Sequence, residues 1–128
     1  MSSKILIVDD EINILMSLEY LFKRKGYEVY IARNGTEAKT LVDSTAPDLV
    51  LLDIMMPDVD GYEVCQYIKA KEHAPKVIFL SAKSKKSDEE KGYEVGADLY
   101  LHKPFSNKDL VQKIKELITS PWIIKKNI

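Results

Sequence analysis

Five short apolar runs at near-even intervals set the narrowest limits on how this chain folds: Ile5–Val8, Val29–Ala32, Leu49–Leu52, Val77–Leu80 and Leu99–Leu101. Their β-branched and aromatic content favours strands, and their unbroken apolar character suits strands buried on both faces. Amphipathic stretches lie between them. Ile14, Leu15, Leu18, Leu21 and Phe22 recur at helical spacing, and Gly26 supplies a stop. Asn34-Gly35 opens a second helix with Ala38, Leu41 and Val42. Gly61 precedes a third with Val64, Cys65 and Ile68 inward. The charged stretch Ser84–Val95 reads as a weaker fourth helix. Ser106 or Asn107 caps a fifth, with Leu110, Val111, Ile114 and Leu117 inward. Strands alternating with helices mean βαβ units, and right-handed crossovers turn these into a doubly wound parallel sheet with helices on both faces. Alternation alone does not fix the strand order.

With 128 residues the chain has room for one domain, expected over residues 1–119. Residues 120–128 read as a C-terminal tail or the start of a linker, with Pro121 closing the last helix; the sharper alternative is that Trp122, Ile123 and Ile124 dock on the domain or a partner. A net charge of −1 gives no bulk attraction for nucleic acid or an anionic membrane. Cys65 is the single cysteine, which fits a reducing, cytoplasmic setting. The first apolar run is too short for a signal-peptide core, and no stretch is long enough to span a bilayer.

In open parallel sheets the ligand crevice lies beyond the carboxyl ends of the strands, so the residues after each run carry the chemistry. Asp9, Asp10 and Glu11 follow the first, Asp53 the third, Ser81, Ala82 and Lys83 the fourth, and His102, Lys103 and Pro104 the fifth. If the first and third strands are neighbours, Asp9, Asp10 and Asp53 converge. Converging carboxylates shift their pKa values, take up protons or bind a cation. An all-oxygen donor set selects a hard cation, Mg²⁺ or alternatively Mn²⁺, over zinc. A carboxylate beside such a cation is a competent phosphoryl nucleophile when a fixed charge such as Lys103 and a short donor such as Ser81 neutralise the transferring group. Taken singly, these residues are unremarkable. Adjacent aspartates often form only a turn or a helix cap, and Asp53 ahead of Pro57, Asp58 and Gly61 is compatible with plain loop chemistry. The signal is their joint placement at four strand ends.

The motifs are Ile-Leu-Ile-Val-Asp-Asp-Glu at 5–11, Pro-Asp-Leu-Val-Leu-Leu-Asp-Ile-Met-Met-Pro at 47–57, Asp-Gly at 60–61, Leu-Ser-Ala-Lys at 80–83, Gly-Ala-Asp at 96–98 and Tyr-Leu-His-Lys-Pro-Phe at 100–105. From Lys4 to Ile118 the chain resembles a two-component response-regulator receiver domain and is similar to the chemotaxis single-domain regulator. The resemblance implies a flavodoxin-like five-stranded sheet in the order 2-1-3-4-5. It implies Asp53 as phosphoacceptor, Asp10 as direct ligand of Mg²⁺, Asp9 acting mostly through water, and Met55 offering its backbone carbonyl. Ser81 and Lys103 would contact the phosphoryl group, the Lys103–Pro104 bond would be cis, and Tyr100 would be the switch aromatic. Lys83 and Met55 sit where the family varies the lifetime of its phosphate.

The resemblance also implies a switch. A histidine kinase, a phosphotransfer protein or a small phosphodonor would phosphorylate Asp53 and shift the surface of the fourth helix, fifth strand and fifth helix towards a downstream effector or fused output domain. The chain would assist its own phosphoryl transfer and slow self-dephosphorylation without being a turnover enzyme, and would bind neither nucleic acid nor membrane directly. Kinase docking in the family centres on the first helix, which directs attention to Ile14, Leu15 and Leu18, positions that equally suit the core. Family members that dimerise carry an acidic pair before the switch aromatic; here Asp98 is acidic and Leu99 is not, which weakens a phosphorylation-dependent dimer. Three rivals remain. A dehalogenase-type aspartyl phosphatase needs an acid two residues after its nucleophile, where Met55 stands. A flavin or nucleotide module needs glycine or hydroxyl residues where Asp9-Asp10-Glu11 stand. A pseudo-receiver that works without phosphorylation is the alternative closest to the main reading.

Overall fold

Each apolar run becomes one strand of a parallel sheet, and each amphipathic stretch becomes a helix, in the computed structural model, which describes residues 2–119. The strands are β1 (Lys4–Val8), β2 (Glu28–Ala32), β3 (Leu49–Leu52), β4 (Lys76–Ser81) and β5 (Leu99–His102). The helices are α1 (Ile12–Arg24), α2 (Gly35–Thr45), α3 (Gly61–Lys69), α4 (Lys86–Glu94) and α5 (Asn107–Thr119). The sheet order is β2-β1-β3-β4-β5, the flavodoxin-like order implied by the resemblance. The expectations for Pro121, Trp122, Ile123 and Ile124 lie outside the described residues.

Local chemistry explains the helix boundaries. Asn34 caps α2 by accepting from the Glu37 amide, and Asp60 does the same for α3 through the Glu63 amide. Of the two candidates for the start of α5, Ser106 supplies the capping oxygen, to the Asp109 amide. Gly26 and Gly96, at φ of 92° and 107°, turn the chain out of α1 and α4 in the left-handed region that glycine tolerates.

Alternate residues of the strands point to opposite faces and build two cores. On one face Leu6, Val8, Val50, Leu52, Val77 and Phe79 meet α2 and α3. On the other, Ile5, Ile7, Leu49, Leu51, Ile78 and Leu80 meet Leu15, Leu18 and Phe22 of α1 and Leu110, Ile114 and Leu117 of α5. Burial on both faces holds for β1, β3 and β4. The edge strand β2 is only half-buried over Val29–Ile31, because an edge strand has one neighbour and incomplete cover. Leu15 and Leu18 are core residues, so neither belongs to a docking surface. The outer face of α1 instead exposes Ile12, Met16 and Tyr20. Among the described residues no helix is long and apolar enough to cross a membrane.

Candidate functional site

The strand order puts the tips of β1 and β3 side by side, and the parallel ladder continues one residue beyond them. The Asp9 amide donates to the Ala32 carbonyl and the Asp53 amide to the Val8 carbonyl, which fixes both aspartates at the carboxyl edge of the sheet. On the other side of Asp53, the Lys103 amide donates to the Ser81 carbonyl at 2.8 Å, tying the tip of β5 to that of β4. Sheet hydrogen bonding therefore brings four tips together before any side chain acts. The Lys103–Pro104 peptide bond is cis.

Asp9, Asp10 and Asp53 each present a carboxylate oxygen, and these oxygens lie within 4.8 Å of one another. Asp9 and Asp53 are buried, while Asp10 is exposed and faces the mouth. The Lys103 ammonium lies 2.8 Å from Asp9 Oδ2, 3.9 Å from Asp53 Oδ2 and 3.5 Å from Glu11 Oε1. One Asp9 oxygen accepts from the Glu11 amide and one Asp53 oxygen from the Ile54 amide, leaving each carboxylate a second oxygen directed to the pocket.

Burial, reinforced by the charge of Asp9, pushes the Asp53 carboxyl up to about 6, against the opposing pull of Lys103 and the Ile54 amide. Burial alone would depress the Lys103 ammonium, but its hydrogen bond to Asp9 and the charges of Asp53, Asp9 and Glu11 outweigh that and hold it above its ordinary value. A single lysine facing three carboxylates leaves excess negative charge. A divalent hard cation fits this deficit, since every donor is oxygen and no cysteine or histidine stands among the three. The pocket mouth continues into a groove of about 530 Å³ lined by Asp10, Met55, Tyr62, Lys83 and Lys91.

Ser81 is fully buried, its Oγ accepting from the Lys83 amide. Tyr100 is packed inward: its ring stacks at an angle on Phe79 and its hydroxyl donates to the Lys83 carbonyl at 2.8 Å. Lys83 thus links the β4 tip to Tyr100 through its backbone. Met55 projects into solvent. His102 turns from the pocket to α4, its Nε2 3.3 Å from Glu89 Oε2. Cys65 is buried, its thiol pushed up to about 12 by desolvation, as an inert core residue should be. Asp98 is engaged internally with Lys69 at 2.7 Å and with the Val77 amide.

Three residues that tie α4 to its neighbours escaped sequence reasoning. Tyr62 spans from α3 to α4, donating to the Asp88 carbonyl. Tyr93 of α4 accepts from the Tyr100 amide, covering a donor that an edge strand otherwise leaves open. Gly92 is the only buried residue of α4, and a Cβ there would stand 2.8 Å from the Tyr100 ring. Isolated tyrosines and a helical glycine carry no spacing signal.

Residues 5–115 match the family model for the response regulator receiver domain. The chain is similar to a CheY-like response regulator receiver domain protein from Methanospirillum hungatei, with 31% identity over 100% of both chains and a TM-score of 0.88. It is similar to the BeF3-activated receiver domain of DrrB from Thermotoga maritima, with 36% identity over 91% of this chain and 97% of that one and a TM-score of 0.83. The same match covers 52% of a longer DrrB chain, an OmpR/PhoB homologue. The chemotaxis protein CheY4 of Vibrio cholerae is 26% identical over 91% of this chain and 98% of that chain, with a TM-score of 0.85. On this family match and on the sheet order, the chain belongs to the receiver domains of two-component response regulators.

Proposed function

We propose that the chain is a Mg²⁺-dependent phosphorylation switch in which Asp53 is the phosphoacceptor. The observation that carries this is the placement of one half-buried ammonium, Lys103, against two buried carboxylates at adjoining strand tips, with a third carboxylate at the mouth. An Asp53 oxygen forms a bond to phosphorus as the bond to the donor's nitrogen or oxygen breaks, and the leaving group departs with that electron pair. Lys103 neutralises a phosphoryl oxygen, and Ser81 offers its hydroxyl to another. Asp10 would hold the cation directly and Asp9 mostly through water, with Asp53 and the Met55 carbonyl completing the protein's share. Bound Mg²⁺ supplies charge neutralisation and orientation. The chain assists its own phosphorylation and slow self-dephosphorylation and is not a turnover enzyme. Met55 and Lys83 stand at the mouth, where they set water access and hence phosphate lifetime.

The switch reads as a population shift. A phosphoryl group at Asp53 draws Ser81 towards it, and the space Ser81 leaves favours the inward Tyr100, packed on Phe79, over an outward one, and with it one arrangement of the α4–β5–α5 surface. A histidine kinase or phosphotransfer protein docks on the first helix through Ile12, Met16 and Tyr20, the apolar residues it exposes. The output is an effector or a fused domain, with no direct contact to nucleic acid or membrane, in the cytoplasm. Residues 1–119 form the receiver unit. A phosphorylation-dependent dimer is the less favoured assembly, because Asp98 is committed to Lys69.

Intact mass after incubation with acetyl phosphate tests the acceptor. One phosphoryl adduct that requires Mg²⁺ and is lost in Asp53→Asn is the expected result. Labelling that persists in Asp53→Asn places the acceptor elsewhere, and an unlabelled wild type supports the pseudo-receiver reading.

A further inference from the structure

The loop from Asp53 to Gly61 carries the phosphoacceptor at its start and α3 at its end. It is closed on itself: the Gly61 amide donates to the Ile54 carbonyl at 2.8 Å, and a Cβ at Gly61 would stand 2.2 Å from the Asp53 carbonyl oxygen. No other residue type permits that approach. Its tip is fixed differently, by Asp58. One Asp58 oxygen accepts from the Gly35 amide at 2.9 Å; the other accepts from the Thr36 amide at 3.0 Å and the Thr36 hydroxyl at 2.7 Å. Asp58 also takes the Val59 amide at 2.7 Å. A carboxylate from a distant loop thus occupies the open amides of the first turn of α2, where helix geometry leaves donors unpaired and favours negative charge.

That helix already has its own cap, Asn34, which serves the Glu37 amide. Asp58 is therefore a second cap whose distinctive effect is on the loop it comes from. The contact is reinforced by packing: a Cβ on Gly35 would lie 2.7 Å from Val59 Cβ, so the helix start and loop tip meet without space between them. Those four donated hydrogen bonds hold the Asp58 carboxyl well below the usual carboxylate range, so the clasp stays charged through any physiological pH.

We propose that Asp58 is a positioning residue for the cation pocket: by clasping the loop tip to the start of α2, it fixes the backbone that carries Asp53 and Met55. This rests on the reading of Asp9, Asp10 and Asp53 as a Mg²⁺ site. Asp58 does not touch the cation; it limits how far the loop that presents the donors can relax. Loss of such a supporting contact weakens metal affinity by roughly 10-fold.

Titration calorimetry of Mg²⁺ into the full chain tests this, using wild type, Asp58→Ala, Asp58→Asn and Asn34→Ala, with thermal melts of each in EDTA. Asn34→Ala is the control, because it removes a cap of the same helix without touching the loop. The expected result is a dissociation constant raised roughly 10-fold in Asp58→Ala, less in Asp58→Asn, which keeps one accepting oxygen, and unchanged in Asn34→Ala despite a lower melting temperature. If Asp58→Ala does not fold, the comparison of Asp58→Asn with Asn34→Ala decides. Equal Mg²⁺ affinity in the Asp58 variants and wild type overturns the positioning role and leaves the metal site standing. An equal loss in Asn34→Ala makes Asp58 a stability residue only. A wild type that binds no Mg²⁺ overturns the functional reading and the positioning role together.

Discussion

The two ends of the chain's helical cover are attached in opposite ways. Helices α1 and α5 are held by buried side chains: Leu15, Leu18, Phe22, Leu110, Ile114 and Leu117 all lie in one core beneath the sheet. Helix α4 buries only Gly92 and is otherwise held by discrete polar and ring contacts: Tyr93 on the Tyr100 amide, Tyr62 on the Asp88 carbonyl, His102 near Glu89, and Lys91 over the Tyr62 ring at 4.5 Å. Apolar packing is lost only by unfolding or opening a cavity, whereas a polar contact exchanges for water at a net cost of about 1 kcal/mol. The first arrangement makes an anchor and the second makes an element that can be released. Tyr100 lies at the junction, fixed to α4 through its amide and to the β4 tip through its hydroxyl.

The largest effect that sharpens this contrast is on the anchored side. Phe22→Ala should cost about 3–5 kcal/mol in denaturant unfolding, since the ring is fully buried in the α1–α5 core. No side-chain truncation within α4 should approach that, and one that did would break the comparison.

The acidic pocket lies at the carboxyl edge of the sheet, and its charge acts on the whole fold. The folded Asp53 carboxyl titrates at about 6, above its ordinary value of 3.8, so the folded protein holds a proton that the unfolded chain releases. Stability from this group is full below about pH 4 and falls as the pH rises through about 6. In EDTA at pH 7.5, Asp53→Asn should therefore be more stable than wild type by roughly 2–3 kcal/mol, with the gap closing towards pH 4. A gap that is independent of pH would deny that the Asp53 charge is its source.

On the releasable side the effects are smaller and local. Tyr93→Phe removes the acceptor for the Tyr100 amide and should cost about 1 kcal/mol, seen as faster exchange of that amide. Global stability should move little more than that. Smallest is Glu89→Gln: its partner His102 is well exposed, so chemical denaturation should register about 0.5 kcal/mol or less. A large loss there would turn α4 from a tethered element into an anchored one.

Much of this was legible in the sequence, for identifiable reasons. Unbroken runs such as Leu49–Leu52 mark strands because a central parallel strand is covered on both faces. Aspartates directly after such runs reach the carboxyl edge by ladder geometry, so Asp9 and Asp53 converge wherever β1 and β3 are neighbours. The inward face of α1 was harder. Ile12, Met16 and Tyr20 recur every four residues as regularly as the core residues Leu15, Leu18 and Phe22 do at their own spacing, and periodicity does not say which stripe faces the sheet. Asp58 was invisible for another reason. Its partners Gly35 and Thr36 lie more than twenty residues earlier, and a carboxylate in a Pro-Asp turn has the same local pattern whether or not it caps a distant helix. The polar attachment of α4 likewise depends on which tyrosines meet which backbone groups across the fold.

The most direct test of the contrast is amide hydrogen exchange of the full chain with Mg²⁺, before and after phosphorylation by acetyl phosphate, with Asp53→Asn as control. Exchange should change in α4, β5 and the Lys83 segment while the buried turns of α1 keep their protection, and the control should show no change in either region. A change of equal size in α1, or an unchanged α4 in a fully phosphorylated protein, would contradict it.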